Sequence, residues 1–409
     1  MKNFDIPSFY KSSFIGKIKE LRKISDPRKK DFTPTVLDFG AIQFFVARHF
    51  GFCFGVENAI EISYRTVEEN PEKRVFLLSE MIHNPIVNDD LMKKGIRFLM
   101  NTEGEQIIPW DKLTSKDIVL IPAFGTTIEL ENRLKEIGIQ IEQYDTTCPF
   151  VKKVWNMSKK LGDNKSTVVI HGKHIHEETR ATFSHSESHA PSVVVKDLAE
   201  AKSLSEFALG QKSKEEFYIA FKGKHSKGFD PEIHFEKVGV VNQTTMLASD
   251  THEIAEFLKG IMEQKFDNTS SENHFVDTRD TLCYATNDNQ EATYGLLEQS
   301  ADFALVVGGY NSSNTSHLAE LCERKFQTYY ISSSNEIKSE NEIEHFNFHN
   351  HKIVNSKNWL KSESPLKIIL TSGASCPDSE VDKVIDKILS FFDNVRDKEE
   401  VISELAKAK

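Results

Sequence analysis

Three cysteines of this sequence occupy equivalent positions and could serve together as ligands. They are Cys53 in ARHFGFCFGV, Cys148 in QYDTTCPFVKKV and Cys283 in VDTRDTLCYATN. Each follows a short apolar or β-prone run and precedes a stretch with helical spacing, and each interval is about one domain long. Two share the spelling Asp-Thr-x-Cys, which begins at Asp145 and Asp280. We interpret the pattern as three modules that each direct one thiol at a shared centre.

Thiols in such positions suit a soft-metal centre. A thiolate beside a helix N-terminus has a lowered pKa and binds soft metals well. A zinc or iron–sulfur site built from distant ligands lacks the usual C-x-x-C spacing, so the absence of that spacing excludes neither. Most free cysteines, however, are buried as small hydrophobic groups, and residue types alone leave both interpretations open. We interpret Cys322, inside a helical pattern, and Cys376 as packing residues.

Three polar loops each follow a predicted strand and open a predicted helix. They are VVNQTTMLASD (240–250), GGYNSSNTSHLAEL (308–321) and LTSGASCPDSEV (370–381). Hydroxyls, amides and backbone N–H groups at helix N-termini form a ready anion site, although ordinary N-capping uses the same residue types. Several such loops in a chain with three matching cysteines predict a phosphate-bearing ligand.

Histidines and a carboxyl group follow two other predicted strands. His83 lies in EMIHNPIVND, and IHGKHIHEETRAT places His176 and Glu178 after the run STVVI. An imidazole near a carboxyl group suits anion binding beside a proton donor. A His-x-His-Glu spelling could also ligate zinc, so a metal site is the competing hypothesis.

Short apolar runs alternate with amphipathic stretches, which predicts an α/β fold with parallel sheets. In such sheets the loops after the strands gather at one edge, where ligands bind. Two charged stretches, 197–237 and about 332–352, are predicted to be solvated decorations. The predicted strands are IQFFVARHF, RVFLLSE, DIVLIPA, IQIEQYD, STVVIHG, VGVVNQ, FALVVGG and LKIILTS.

Composition excludes several classes of protein. The 409 residues, 39% of them hydrophobic, suffice for two to four domains with real cores. A net charge of −11 argues against nucleic acid as the main partner, and no apolar run is long enough for a membrane span. Five sparse cysteines indicate reduced thiols. We expect a cytoplasmic bacterial protein without a signal peptide, whose basic first 40 residues form a retained extension of helical turns.

Eight motifs together resemble one family. GFCFGVENAI, EMIHNP, DTTCPFVKKV, HEET, NQTT, DTLCYATNDNQ, NSSNT and TSGASCPD occur in the order found in the LytB/IspH family of 4-hydroxy-3-methylbut-2-enyl diphosphate reductases, between about residues 45 and 395. The length and extended N-terminus resemble the longer form found in plants and cyanobacteria. The resemblance implies a trefoil of three αβα domains with pseudo-threefold arrangement around a central iron–sulfur cluster.

The resemblance also implies a role for each matching residue. Carried over position by position, these roles are cluster ligation by Cys53, Cys148 and Cys283, diphosphate binding by His83 and His176, proton delivery by Glu178, positioning of a water or the substrate hydroxyl by Thr244, and further polar substrate contacts by Thr245, Ser312, Ser313, Asn314 and Ser375.

The implied reaction is reductive dehydroxylation of an allylic diphosphate to isopentenyl and dimethylallyl diphosphate, the last step of the non-mevalonate isoprenoid pathway. A [4Fe-4S] cluster usually takes four cysteines. Three leave one iron open to the substrate hydroxyl. Because GGYNSSN is not the dinucleotide fingerprint G-x-G-x-x-G, electrons are expected from a ferredoxin- or flavodoxin-like carrier. The alternatives are a zinc-dependent hydrolase and a non-catalytic protein that binds a phosphate metabolite.

One position departs from the short form of the family. That form has a further diphosphate-binding histidine in an Ala-His-Gly context, where this sequence has IPAFGTT and therefore Phe124. Lys173 is the candidate replacement.

The predicted organisation is an N-terminal extension (1–40), a first αβα domain (41–148) whose first strand, about 42–52, packs with the third domain, a second (149–282) with an insertion at about 197–237, a third (283–395) and a C-terminal tail (396–409).

Overall fold

The structure is a computed structural model that describes residues 4–266, 271–278, 281–360 and 365–407. These form two compact units. Unit 1 comprises Met1–Glu57, His83–Val87 and Tyr284–Lys409, and unit 2 comprises Asn58–Ile82 and Asn88–Cys283. The domain boundaries predicted above remain a prediction.

Strands and helices alternate along most of the chain. In chain order the strands are β1 Thr35–Asp38, β2 Ile42–Val46, β3 Val75–Leu77, β4 Arg97–Phe98, β5 Ile118–Leu120, β6 Thr167–His171, β7 Ser192–Val195, β8 Val238–Asn242, β9 Phe275–Val276, β10 Phe303–Val307, β11 Thr328–Ile331, β12 Ile337–Ser339, β13 Glu342–Asn347, β14 Lys352–Lys357 and β15 Leu366–Ser372. The helices are α1 Ser13–Ser25, α2 Phe54–Glu69, α3 Pro85–Lys93, α4 Ile128–Ile137, α5 Pro149–Asp163, α6 Glu177–Glu187, α7 Leu198–Ala208, α8 Lys214–Ala220, α9 Ala248–Lys265, α10 Ser271–His274, α11 Tyr284–Leu297, α12 Ser313–Glu323, α13 Asp378–Leu389 and α14 Lys398–Lys407. Among the helices of the described ranges, none is long and apolar enough to cross a membrane.

Unit 1 is built on a five-stranded sheet in the order β1-β2-β15-β10-β11. Only the β1–β2 pair is antiparallel. All five residues of β10 are buried, as expected for a central parallel strand covered on both faces. The strand predicted from IQFFVARHF, β2, pairs with β15. Since β2, β15 and β10 run in the same direction, the loops that follow them lie at one edge of this sheet.

The N-terminal segment is part of the core of unit 1. Phe14, Ile15 and Ile18 of α1 are buried together with residues of the central strands. The first 40 residues contain the predicted helical turns, in α1, and also the edge strand β1.

Unit 2 contains two parallel sheets, β4-β3-β5 and β7-β6-β8-β9. In the second sheet β6 and β8 are neighbours, and all ten of their residues are buried. The α/β class with parallel sheets is therefore present in both units.

The prediction that IQIEQYD forms a strand is wrong. Glu142–Tyr144 form a 3-10 turn, and the only β contact of this stretch with the part of the chain that the structure describes is a single bridge between Ile121 and Asp145. Its apolar residues Ile139 and Ile141 are buried in the core beside β5. Burial of these two residues explains why the stretch is apolar, so strand pairing is not needed to explain it.

The two charged stretches are both ordered. Residues 197–237 contain α7 and α8 and a buried cluster of aromatic side chains, and residues 332–352 contain β12 and β13, which form an antiparallel sheet with β14. The aromatic cluster consists of Phe207, Phe217, Phe221, Phe229 and Phe235. The two stretches therefore have charged surfaces but also contain buried side chains and regular secondary structure.

Candidate functional site

The loops after β6 and β8 meet in unit 2. These strands are parallel neighbours with His171 opposite Asn242 at their ends. The loop after β6 carries His176 and leads into α6, whose first turn contains Glu178, and the loop after β8 carries Thr244. Adjacent parallel strands therefore bring together residues that are far apart in the sequence.

Glu178 is fixed at this sheet edge by the backbone of the neighbouring loop. Its side chain is buried, and Oε1 accepts a hydrogen bond of 2.5 Å from the backbone N–H of Thr244. In a neutral carboxyl group an N–H donor favours the carbonyl oxygen, so we assign the proton of a neutral Glu178 to Oε2.

His176 is the N-cap residue of α6, and its Nδ1 accepts from the Glu178 N–H at 3.2 Å. In a neutral imidazole whose Nδ1 accepts, the proton is on Nε2. His176 is thereby oriented as an Nε2 donor, which is what an anion requires.

Cys148 is held at the N-terminus of α5 by its own loop. Its backbone N–H donates to Ala123 at 2.9 Å. The Thr146 hydroxyl donates to the Ile121 carbonyl at 2.5 Å, and Asp145 accepts from the Thr147 N–H and from Lys152 Nζ. Burial opposes ionisation of Asp145, but these hydrogen bonds outweigh it and lower its pKa. The Asp-Thr-x-Cys spelling is thus a folded loop that fixes the cysteine.

Cys283 follows the second Asp-Thr-x-Cys stretch. Asp280 lies outside the described residues, but Thr281 is buried and its hydroxyl donates to the Asn242 side chain at the end of β8. The threonine of each stretch therefore anchors its cysteine loop to the end of a neighbouring strand.

The expected lowering of the thiol pKa is wrong for Cys148. Burial raises the pKa of this thiol to about 11, although the N–H groups of Phe150 and Val151 oppose the shift. The charges of Cys283 and Glu178 raise it further. The helix N-terminus is present, but desolvation and two neighbouring acidic groups outweigh it.

The neighbouring side chains of Cys148, Cys283 and Glu178 fit a soft cationic group. Two thiolates and a carboxylate disfavour one another's ionisation, and a bound cation reverses that effect. Thiolates select zinc, copper(I) or iron–sulfur clusters. Cys53, Cys148 and Cys283 are half-buried, whereas Cys322 and Cys376 are fully buried, as packing residues are. Within the described part of the chain, no three His, Cys, Asp or Glu side chains are grouped closely enough to hold a single metal ion.

Cys53 lies in unit 1, at the edge formed by the loops after β2, β10 and β15. Its backbone N–H donates to the Ala374 carbonyl at 3.1 Å. The Ala374 N–H in turn donates to Asn314 Oδ1 at 2.9 Å. Asn314 Oδ1 also accepts from Asn289, while the buried Nδ2 has no hydrogen-bond partner among the described residues. A buried donor of this kind fits a polar ligand.

His83 lies at the same edge of unit 1. Its carbonyl accepts from the Ser375 hydroxyl at 3.2 Å, and Asn84 Nδ2 donates to the Ser375 carbonyl at 2.8 Å. Ser312 caps α12 by accepting from Thr315 N–H, so the N-capping alternative holds for this residue. The predicted residues of unit 1 at this edge, all buried except the half-buried cysteine, are Cys53, His83, Ser312, Ser313, Asn314 and Ser375.

Gln243 belongs to the polar loop 240–250 selected from the sequence, but the sequence analysis assigned it no role in the site. It is fully buried, its Oε1 accepts from Thr179 Oγ1 at 3.0 Å, and its Nε2 donates to Thr245 at 2.8 Å. The available signal was its place between the selected Thr244 and the strand end.

The Phe124 ring contacts the His176 ring with centroids 5.9 Å apart, and the Lys173 side chain is exposed.

Comparison with known proteins gives consistent matches. The family model described as "LytB protein" matches residues 44–389. A 4-hydroxy-3-methylbut-2-enyl diphosphate reductase from a Synechococcus strain is 37% identical over 383 residues, which is 93% of this chain and 90% of the relative. One from Microcystis aeruginosa is 38% identical over 356 residues, 87% of this chain and 86% of the relative.

The fold matches a solved structure. The E-1-hydroxy-2-methyl-but-2-enyl-4-diphosphate reductase from Plasmodium falciparum superposes with a TM-score of 0.61 at 21% identity, over 86% of this chain and 88% of that one. This likeness confirms the predicted α/β fold class. The family model that matches residues 44–389 and the relatives that match most of the chain show that this chain belongs to the LytB family.

Proposed function

We propose that this chain reduces (E)-4-hydroxy-3-methylbut-2-enyl diphosphate to isopentenyl and dimethylallyl diphosphate, the last step of the non-mevalonate pathway. Cys53, Cys148 and Cys283 would hold a [4Fe-4S] cluster whose fourth iron is open to the substrate hydroxyl. Electrons would come from a ferredoxin- or flavodoxin-like protein, in the cytoplasm of a bacterium. The relatives that match nearly the whole chain carry the name of this reductase.

One observation carries the proposal. The buried Glu178, held by the Thr244 N–H, lies close enough to the Cys148 thiol to raise its pKa, as Cys283 also does. A proton donor beside a pair of thiolate ligands is the combination that a reductive loss of hydroxyl needs. The two packing cysteines have different charged neighbours. The charge that acts on Cys322 is that of Glu323, and those that act on Cys376 are those of Glu380, Asp378 and Lys19, none of which is a thiol.

The bound cluster would supply two electrons, one at a time, and a Lewis-acidic iron. Glu178 would hold the proton on Oε2 and deliver it to the departing hydroxyl, which leaves as water. A second proton, added at either end of the remaining allylic group together with the two electrons, would complete isopentenyl or dimethylallyl diphosphate. The Thr244 N–H keeps Oε1 fixed during that transfer. The diphosphate would be bound by His176 Nε2, His83 and the polar residues at the edge of unit 1, of which Asn314 offers an unpartnered Nδ2.

The proposal is tested by purifying the protein without oxygen. We expect a brown protein with broad visible absorption, about four iron and four sulfide per chain, and turnover of the diphosphate substrate with a chemical one-electron reductant. A colourless protein that holds stoichiometric zinc and does not turn over the substrate would contradict the reductase and favour a hydrolase. A protein that binds the diphosphate without any metal would contradict it in favour of a binding protein.

The substitution Gly309→Ala tests the proposed role of His83. A Cβ at Gly309 would lie 2.2 Å from the His83 carbonyl oxygen, so the loop that carries His83 has to move. We expect a roughly tenfold to hundredfold rise in KM, because a displaced charge-assisted hydrogen bond costs about 1.5–3 kcal/mol, with the cluster content unchanged. The control is Gly16→Ala, whose Cβ would meet no atom of the described residues within 4 Å. An unchanged KM for Gly309→Ala would remove His83 from substrate binding.

A further inference from the structure

The segment 48–54, which presents Cys53, is contacted along its length by residues of the N-terminal segment. The family match begins at residue 44, so these N-terminal residues lie outside it. In order along the segment, Arg48 Nε lies 3.4 Å from Asp26 Oδ2, the His49 ring contacts Phe32, the Phe50 carbonyl accepts from Lys19 Nζ at 2.9 Å, and the rings of Phe52 and Phe54 contact those of Tyr10 and Phe4.

Lys19 occupies the centre of this set of contacts. Besides the Phe50 carbonyl, its Nζ donates to Asp378 Oδ1 at 2.7 Å and lies 4.4 Å from the centre of the Phe50 ring. Gly51 has φ +79°, and a Cβ there would lie 2.3 Å from Asp378 Oδ1 and 2.9 Å from Lys19 Nζ. The ion pair therefore lies directly against the turn, which only glycine accommodates in this conformation.

Cys53 is thus held from two sides. On one side Lys19 and Asp378 fix Phe50 and Gly51, and on the other the Cys53 N–H is bonded to Ala374. Asp378 begins α13, four residues after Ala374. Both contacts therefore attach the segment that carries Cys53 to the same loop and helix. The Lys19 and Asp378 side chains are only 32% and 23% exposed, so their attraction is less screened than that of a surface pair.

We propose that residues 4–32 act as a brace that keeps the Cys53 loop in the conformation required of a ligand, with Lys19 as its central positioning residue. The identity of the bound group rests on the proposed function; the bracing of the thiol does not. Removal of the Lys19 ammonium group frees the Phe50 carbonyl and leaves Asp378 facing the turn. The loop then opens more often, and the Cys53 thiol becomes accessible more often.

The test uses the full-length, metal-free protein and iodoacetamide. Mass spectrometry follows alkylation of Cys53, Cys148 and Cys283 in the same sample. In Lys19→Met we expect Cys53 to react about fivefold faster than in the parent protein, the factor that corresponds to a small loss of local stability, while Cys148 and Cys283 react at unchanged rates. After anaerobic reconstitution, the same variant should lose iron to a chelator faster.

Two variants serve as controls. Lys17→Met removes the neighbouring exposed ion pair with Glu399 and should leave all three rates unchanged. Lys19→Arg keeps the charge and should recover most of the protection of Cys53. The brace is overturned if Lys19→Met leaves the Cys53 rate unchanged, or if it accelerates all three cysteines equally, which would be general loosening. If the parent protein binds no iron, the proposed function fails, while the alkylation rates still decide the brace.

Discussion

The substitution Cys148→Ser is expected to remove the cluster and reduce turnover to background. The backbone of Cys148 is fixed by Ala123, and Thr146 anchors its loop to β5, so a serine hydroxyl would occupy the same place. The hydroxyl is a harder ligand than a thiolate and does not ionise near neutral pH, so it does not replace sulfur on iron. Iron and sulfide content after anaerobic reconstitution, together with turnover, measure the effect.

The matched control is Cys322→Ser. Cys322 is fully buried inside α12, where desolvation raises its pKa to about 12, and it has no role in the proposed site. Burial of a hydroxyl in its place should cost about 1–3 kcal/mol of the free energy of unfolding but leave iron, sulfide and turnover per folded protein intact. A Cys148→Ser protein that retains a normal cluster would show that Cys148 is not a ligand.

The fold class and the placement of the cysteines could be predicted from the sequence because both depend on local signals. Parallel strands buried on two faces appear as continuous apolar runs, and β6, β8, β10 and β15 were all recognisable in this way. Each of Cys53, Cys148 and Cys283 directly precedes a helix, as its following pattern predicted.

Other features depend on contacts between residues far apart in the sequence and could not be predicted. Burial of the Cys148 thiol beside Glu178 reverses the pKa shift that its helix position alone would produce. The apolar residues of IQIEQYD are buried without forming a strand, because packing beside β5 already removes them from water. The contacts of Lys19 with Phe50 and Asp378 join residues more than thirty positions apart and have no local pattern.

The substitution Glu178→Gln is expected to lower kcat by about 10²–10⁴-fold, the usual contribution of a positioned general acid. Glutamine has the shape of glutamate, and its side-chain oxygen still accepts from the Thr244 N–H, so the loops after β6 and β8 remain in place. Its amide group then stands where Oε2 would carry the proton, and an amide does not deliver one. We therefore expect normal iron and sulfide content and an equal fall in kcat and kcat/KM.

Glu187→Gln is the matched control for that loss. It removes a carboxylate from the other end of the same helix, where the side chain is exposed, and should leave kcat unchanged. Single-turnover measurements with pre-reduced protein and an excess of the chemical one-electron reductant separate proton delivery from electron supply, because both proteins then have the two electrons that one turnover consumes. Near-normal single turnover in Glu178→Gln would remove this residue from proton transfer. A slow single turnover with a full cluster would place the lost step at the carboxyl group that Thr244 holds, since nothing else in the variant has changed.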